Sequence, residues 1–121
     1  MTKTENSKRY DLEDRTAGFA KDVRALIKQI KKTIANIEDG KQVVRSSGSV
    51  GANYIEANES LSKKDFVMRI KICRKEAKES RYWLNLLDLE DTPKLESRRA
   101  KLVQESQELM NIFGAILQKT K

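Results

Sequence analysis

A polar row follows the helical repeat within residues 42–59, whose sequence is QVVRSSGSVGANYIEANE. Four side chains recur there at steps of four, four and three, which places them on one face of a helix. They are Arg45, Ser49, Asn53 and Glu56. A guanidinium, an amide and a carboxylate in one row can bind a polar ligand or form an ion-pair network. No nucleophile and no metal-ligand set accompanies the row, which argues against catalysis.

Two carboxylates further along the chain are the predicted partners of this row. Glu76 and Glu79 fall in the same helical stripe as Ile72 and Trp83. A carboxylate in an apolar stripe needs a partner, or it shifts toward its neutral form. We predict that Arg45 pairs with one of them, because its planar guanidinium suits a carboxylate. The network would fix helix register; the alternative is a polar binding site formed by Arg45, Asn53, Glu56, Glu76 and Glu79.

Positive charge is concentrated in two rows. Residues 63–81 carry eight positive and three negative charges, a net of +5, in a chain whose formal net charge is +7. One row lies on the third predicted helix and contains Lys71, Arg74, Lys78 and Arg81. The other lies on the first predicted helix and contains Lys21, Arg24, Lys28 and Lys31. Striped charge of this kind is typical of a protein that binds polyanions without reading sequence. The alternative is that the charge serves solubility.

The composition argues against several other classes of protein. The chain has no histidine, which removes the commonest general base and the commonest metal ligand. Its single cysteine, Cys73, cannot form an internal disulfide and is predicted to be a small core residue. No apolar run is long enough for a membrane span, and the N-terminus lacks the apolar core of a signal peptide. We therefore expect a cytoplasmic protein that is not an enzyme and needs no cofactor or metal.

The elements that position these residues are predicted to be four helices and no strands. Apolar residues at helical steps from Phe19 to Ile37 predict a first helix of roughly 25 residues. Asp39 and Gln42 resemble a capping box that opens a second helix, roughly 41–59. Ser62 is the predicted N-cap of the third helix.

Further signals mark the later helix boundaries. Leu61 is predicted to contact Phe66 in a hydrophobic staple at the start of the third helix. Thr92 followed by Pro93 predicts the start of the fourth helix.

The Gly- and Ser-rich centre of residues 42–59 can be a loop or part of a helix. Glycine costs about 1 kcal/mol in a helix relative to alanine. The small residues nevertheless keep the helical register, because Gly48 and Gly51 lie in one row with Val44 and Ile55. Small residues in register allow two helices to approach closely. We predict one continuous helix; the alternative is a break near residues 46–48.

Four helices with short connections predict an antiparallel up-down-up-down four-helix bundle. Residues 1–9 are predicted to be a disordered tail, and residues 10–121 a single domain. The second predicted helix is shorter than the others, which would leave apolar surface on its neighbours. We therefore expect a homo-oligomer.

Several spaced motifs resemble a bacterial family linked to intervening sequences of 23S ribosomal RNA genes. The central motif, QVVRSSGSVGANYIEA, matches a Q-x-x-R-S-x-x-S-[IV]-x-x-N-x-x-E pattern from Gln42 to Glu56. The stretches DLEDRTAGFAKDV, SKKDF and KEAKESRYWL match further blocks in the right order. The resemblance covers about residues 10–117.

The resemblance implies a four-helix bundle that assembles into a ring-shaped homopentamer. The family carries a ribosomal-protein-like label and is similar in fold to the accessory variability protein of diversity-generating retroelements. We therefore expect a non-enzymatic oligomeric protein that binds RNA or another nucleic acid through basic helix faces. The alternative is a protein-interaction scaffold, or an accessory subunit for a mobile-element enzyme such as a reverse transcriptase.

Overall fold

The computed structural model describes residues 3–121, and it describes side chains from Asp11 onward. Four helices are present, and they are α1 (Lys3–Ile27), α2 (Ile34–Asn58), α3 (Lys63–Leu86) and α4 (Pro93–Lys119). No strand occurs in this part of the chain. Residues 3–9 belong to α1, but their side chains are outside the described part of the chain, and the disordered tail predicted for residues 1–9 stays a prediction.

The predicted all-α four-helix bundle is confirmed. Helix α1 packs on α2 and α4, and α3 packs on the same two helices. Within residues 3–121, α1 and α3 make no contact, so they lie diagonally across the bundle. The core between the helices is filled by large side chains that include Phe19, Leu26, Ile70, Leu109 and Phe113.

The boundary between the first two helices was predicted wrongly. Helix α1 ends at Ile27, and α2 begins at Ile34 after a connection that contains no glycine or proline. Thr33 is the N-cap, because its hydroxyl accepts a hydrogen bond of 3.1 Å from the backbone N–H of Asn36. Asp39 and Gln42 therefore lie inside α2. With 25 residues, α2 is as long as α1. The expectation that a short second helix leaves apolar surface uncovered on its neighbours is therefore wrong.

The signals around the third and fourth helices agree better with the structure. The Ser62 hydroxyl accepts a hydrogen bond of 3.1 Å from the backbone N–H of Asp65, as predicted for an N-cap. Pro93 is the first residue of α4 and follows Thr92 at the cap position. The predicted hydrophobic staple does not form, because Leu61 is 99% exposed.

The continuous helix predicted through the Gly- and Ser-rich segment is confirmed, because α2 is unbroken across it. The small residues face neighbouring helices. A β-carbon on Gly51 would lie 2.8 Å from the hydroxyl oxygen of Thr16 on α1. The buried Ser46 and Ser80 hydroxyls are 2.8 Å apart, which joins α2 to α3 by a hydrogen bond. The segment thus allows close approach on two sides of α2.

Candidate nucleic-acid interface

The outer face of α3 carries a set of exposed positive charges. We call this set the α3 basic face, and its members are Lys64, Lys71, Arg74, Lys75 and Lys78. The buried residues of α3, such as Ile70, Cys73 and Ala77, point the opposite way. No member of the face forms an ion pair within the described part of the chain. The charges are therefore available to an external anion.

A groove lies at the C-terminal end of the α3 basic face. It has a volume of about 530 Å³ and is lined by Gln42, Lys75, Lys78, Glu79, Tyr82 and Trp83. The Tyr82 and Trp83 rings are 5.0 Å apart in an edge-on arrangement. Tyr82 is 58% exposed, whereas Trp83 is half-buried against the core. Positive charge and an open aromatic ring therefore meet in one place.

Arg81 does not belong to this face, although the spacing predicted that it would. Its side chain is half-buried and donates a hydrogen bond to the Gln107 side chain on α4. A substitution of Arg81 would therefore disturb the contact between α3 and α4 as well as the charge. Arg81 follows Lys78 by three residues, as a helical row requires, but this step places Arg81 on the side of α3 that packs against α4.

The basic row predicted on the first helix is divided between α1 and the connection after it, and two of its members have partners within the chain. Lys21 and Arg24 are on α1, whereas Lys28 and Lys31 lie in the connection that follows it. The Arg24 guanidinium donates to the backbone carbonyl of Ala20 at 3.1 Å. The Lys31 ammonium is 3.7 Å from the Glu90 carboxylate. Because α1 and α3 lie diagonally across the bundle, this row is not adjacent to the α3 basic face.

The predicted Arg45 contact involves both carboxylates. One guanidinium nitrogen of Arg45 is 3.8 Å from Glu76, and another is 3.7 Å from Glu79. The Arg45 side chain is 59% exposed, so the pair is open to solvent on the α2 side. Distances near the upper limit of an ion pair, together with this exposure, indicate a weak interaction.

Glu76 occupies an unusual position in this network. The residue is only 7% exposed, and its Oε1 has no hydrogen-bond partner in the described part of the chain. Burial raises the pKa of Glu76, the neighbouring negative charge of Glu79 raises it further, and Arg45 opposes both effects. The carboxyl is therefore easier to protonate than one in water.

The other predicted members of the polar row lie apart from this cluster. The Asn53 amide donates to the backbone carbonyl and the hydroxyl of Ser49, both at 2.9 Å. Its carbonyl accepts a hydrogen bond of 2.9 Å from Arg69 on α3. The Glu56 side chain is exposed and forms no ion pair with the described residues. The structure therefore divides the row into separate contacts along the α2–α3 boundary.

Sequence reasoning missed two polar contacts between distant segments. Arg15 on α1 forms a two-pronged pair with Glu105 on α4, with both hydrogen bonds at 2.7 Å, and also contacts Glu108. These hydrogen bonds raise the pKa of Arg15 above its ordinary value, against the effect of burial. Asn36 joins the two connections at one end of the bundle, since its amide donates to the carbonyls of Lys31 and Asp88 at 2.9 Å. No local spacing signals contacts between residues so far apart in sequence.

The described residues contain no group of His, Cys, Asp or Glu side chains arranged to hold a metal ion. None of the four helices, over the residues described, is long and apolar enough to cross a membrane.

The fold and the surface define an all-helical bundle protein that carries a row of exposed positive charges on the outer face of α3. The chain belongs to the 23S rRNA-intervening sequence protein family, whose model matches residues 8–115. The resemblance inferred from the motifs is thereby confirmed.

A solved structure gives the same result for the fold. It is that of a protein of unknown function from the S23 ribosomal protein family of Bacteroides thetaiotaomicron VPI-5482. The two chains are 29% identical, with a TM-score of 0.73, and the match covers 87% of this chain and 96% of the other. No curated protein matches the chain.

Proposed function

We propose that this protein is a non-enzymatic nucleic-acid-binding protein that contacts phosphates through the α3 basic face. The observation that supports this most is the exposure of five positive side chains, none of which is paired with a carboxylate among the described residues. An unpaired surface cation attracts phosphate more strongly than one already neutralised. Lysine side chains on one helix face carry no pattern for reading bases, so binding would depend little on sequence.

A salt titration and two charge-reversal variants test this proposal. Labelled RNA and DNA oligonucleotides should bind the parent protein at about 50 mM salt, with a log–log salt slope of about −0.7 to −0.9 per phosphate neutralised. The triple variant Lys71→Glu, Lys75→Glu, Lys78→Glu should abolish binding, because it reverses the centre of the α3 basic face. All three side chains are exposed, so helicity should be retained.

The matched control reverses the same number of charges elsewhere. The variant Lys21→Glu, Lys28→Glu, Lys32→Glu changes three exposed lysines on α1 and the connection after it. This variant should retain most of the binding. Equal loss in both variants would mean that only the total charge matters. A parent protein that binds no oligonucleotide at low salt would contradict the proposal itself.

We further propose that copies of the chain associate through α2, in the ring-shaped homo-oligomer that the family resemblance implies. Supporting this, Ile34 is 85% exposed, and Ile37 and Ile55 are also exposed on α2. Ile37 also lines an apolar groove of about 280 Å³, together with Ile27, Ile30 and Val44. Exposed apolar patches of this kind commonly mark protein interfaces.

Light scattering at micromolar concentration tests association. The parent should give a mass several times that of the 13.9 kDa chain. The variant Ile37→Lys, Ile55→Lys should reduce the mass, whereas Leu61→Lys, at the more exposed turn before α3, should not. A parent mass near 13.9 kDa would contradict the proposal. In that case the apolar surface favours the alternative function, a scaffold for a different protein partner.

A further inference from the structure

The groove beside the α3 basic face combines an aromatic ring with lysines in a continuous helical series. Lys71, Lys75, Lys78 and Tyr82 follow one another at steps of four, three and four on the exposed side of α3. From Lys75 to Tyr82 the rise along the helix is about 10 Å, a length that a few nucleotides of a single strand can span. A strand whose phosphates contact Lys75 and Lys78 would therefore bring a base to Tyr82.

The Tyr82 ring is held in place without being covered. Its contact with Trp83, at 5.0 Å between ring centroids, restrains the side chain, while 58% of the residue stays exposed. Trp83 itself packs against the core. A restrained and open aromatic ring loses little conformational freedom when a base stacks on it.

The remaining groove residues are compatible with a nucleic acid. Gln42 on α2 lines the groove with an amide that both donates and accepts hydrogen bonds. Glu79 also lines it, and its charge would repel a phosphate. The Arg45 guanidinium, 3.7 Å from the Glu79 carboxylate, offsets that charge on the α2 side of the groove. The positive end of the groove is thus at Lys75 and Lys78.

We infer that this groove selects single-stranded nucleic acid, with an unpaired base stacked on Tyr82 and the adjoining phosphates on Lys75 and Lys78. The inference rests on the proposed function and specifies its substrate. Bases in a duplex are paired and stacked inside the helix, so their faces are not available to stack on Tyr82. An unpaired base can turn outward and stack on an aromatic ring.

The test compares single-stranded and duplex oligonucleotides of one sequence, using the full chain. The parent should bind the single strand more tightly, and binding should change the fluorescence of Trp83, which is the only tryptophan in the chain. Tyr82→Ala should weaken single-strand binding by about 5- to 100-fold, the range expected for the loss of one stacked base, and should leave duplex binding unchanged. Tyr82→Phe should restore the affinity.

Leu86→Ala is the matched control, because Leu86 is an exposed apolar residue one turn further along α3. It should bind like the parent. Equal affinity for single strand and duplex, with no effect of Tyr82→Ala, would overturn the stacking inference and leave the proposed phosphate contacts intact. No binding of either oligonucleotide at low salt would overturn both proposals. A loss in Leu86→Ala equal to that in Tyr82→Ala would also overturn the inference, since stacking requires a ring.

Discussion

Gly51 on α2 lies directly against Thr16 on α1, so closely that there is no room for a β-carbon at position 51. An added β-carbon would be 2.8 Å from the Thr16 hydroxyl oxygen and 3.2 Å from its β-carbon. The hydroxyl cannot simply rotate away, because it donates to the backbone carbonyl of Leu12 or Glu13, at 2.9 and 3.0 Å. The glycine therefore sets the distance between the two helices.

Gly51→Ala should consequently destabilise the protein, although alanine is the better helix former. We expect a loss of about 1–3 kcal/mol in the free energy of unfolding, the usual cost of overpacking. Urea denaturation followed by circular dichroism measures it. Gly114→Ala is the control, because open space surrounds that position, and it should be neutral or stabilising by up to about 1 kcal/mol. A Gly51→Ala variant as stable as Gly114→Ala would contradict the close approach.

Arg45→Met should cost little stability. The guanidinium is more than half exposed and is 3.7–3.8 Å from its two carboxylates, so we expect a loss of no more than about 1 kcal/mol. Arg69→Met should cost more, about 1.5–3 kcal/mol, because Arg69 is half-buried and donates a charged hydrogen bond of 2.9 Å to Asn53. Chemical denaturation of both variants checks the ranking. The reverse order would show that the Arg45 network is the stronger contact between α2 and α3.

The raised pKa of Glu76 predicts a specific pH dependence of stability. At pH values between the pKa of Glu76 in the unfolded chain and its higher pKa in the folded protein, the folded protein binds more protons. The contribution of Glu76 to stability is therefore fully present below the unfolded pKa and is lost as the pH rises through the folded pKa. The Glu76→Gln side chain stays uncharged, so the stability of this variant relative to the parent should increase as the pH rises through the folded pKa of Glu76.

Denaturation of both proteins between about pH 4 and pH 8 gives this difference. Glu56→Gln removes an exposed carboxylate and controls for the change in total charge. A Glu76→Gln difference that stays flat across the range, or that matches the control, would contradict the prediction.

Glu90→Gly should stabilise the connection between α3 and α4. Glu90 has a φ of 52°, in the left-handed region that disfavours residues with a β-carbon. Glycine removes that cost, and we expect a net gain of up to about 1 kcal/mol in the free energy of unfolding. The substitution also removes the ion pair between Glu90 and Lys31. That pair is exposed, with 3.7 Å between the charged atoms, so it contributes little to stability. Glu90→Ala loses the same pair but keeps the strain, so a gain equal to that of glycine would argue against strain relief.

Cys73 should be unreactive in the folded protein. The thiol is fully buried, and burial raises its pKa to about 12. Because the thiolate is the reactive form, a disulfide reagent at mildly alkaline pH should modify the native protein only as it unfolds. Rapid labelling in denaturant confirms that the thiol is free. Equally rapid labelling without denaturant would contradict the burial.

Two helix starts were predicted correctly from local signals. Ser62 and Pro93 mark helix starts through their own hydrogen bonding and geometry, and both were located correctly. The break after Ile27 was missed because Ile30, Ile34 and Ile37 continue the apolar steps across a connection without glycine or proline.

At Gly40 the sequence predicted a helix boundary where the structure has none. Gly40 lies between Asp39 and Gln42, which resemble a capping box at a helix boundary, but it is inside α2 and buried against Ile27 at the end of α1. A glycine that serves packing between helices has the same local sequence as one that serves a turn.

Only part of the candidate site followed from spacing. Lys71, Arg74 and Lys78 were predicted from spacing, because the buried face of an amphipathic helix fixes its exposed face, whereas Lys64 and Lys75 were not part of the predicted row. The position of Arg81 was not, since its contact with Gln107 depends on how α4 lies beside α3. The separation of the two basic rows depends likewise on the diagonal placement of α1 and α3.

Asn36 links the α1–α2 connection to the α3–α4 connection at the end of the bundle opposite the α2–α3 turn. Its single side chain binds the carbonyls of Lys31 and Asp88, and its own carbonyl accepts the backbone N–H of Asp88 at 2.9 Å. Neither connection can move away without breaking hydrogen bonds of this buried amide, whose groups would then lack partners. We therefore expect the two connections to open together, in which case exchange of the Asp88 amide proton with solvent would report the opening of both.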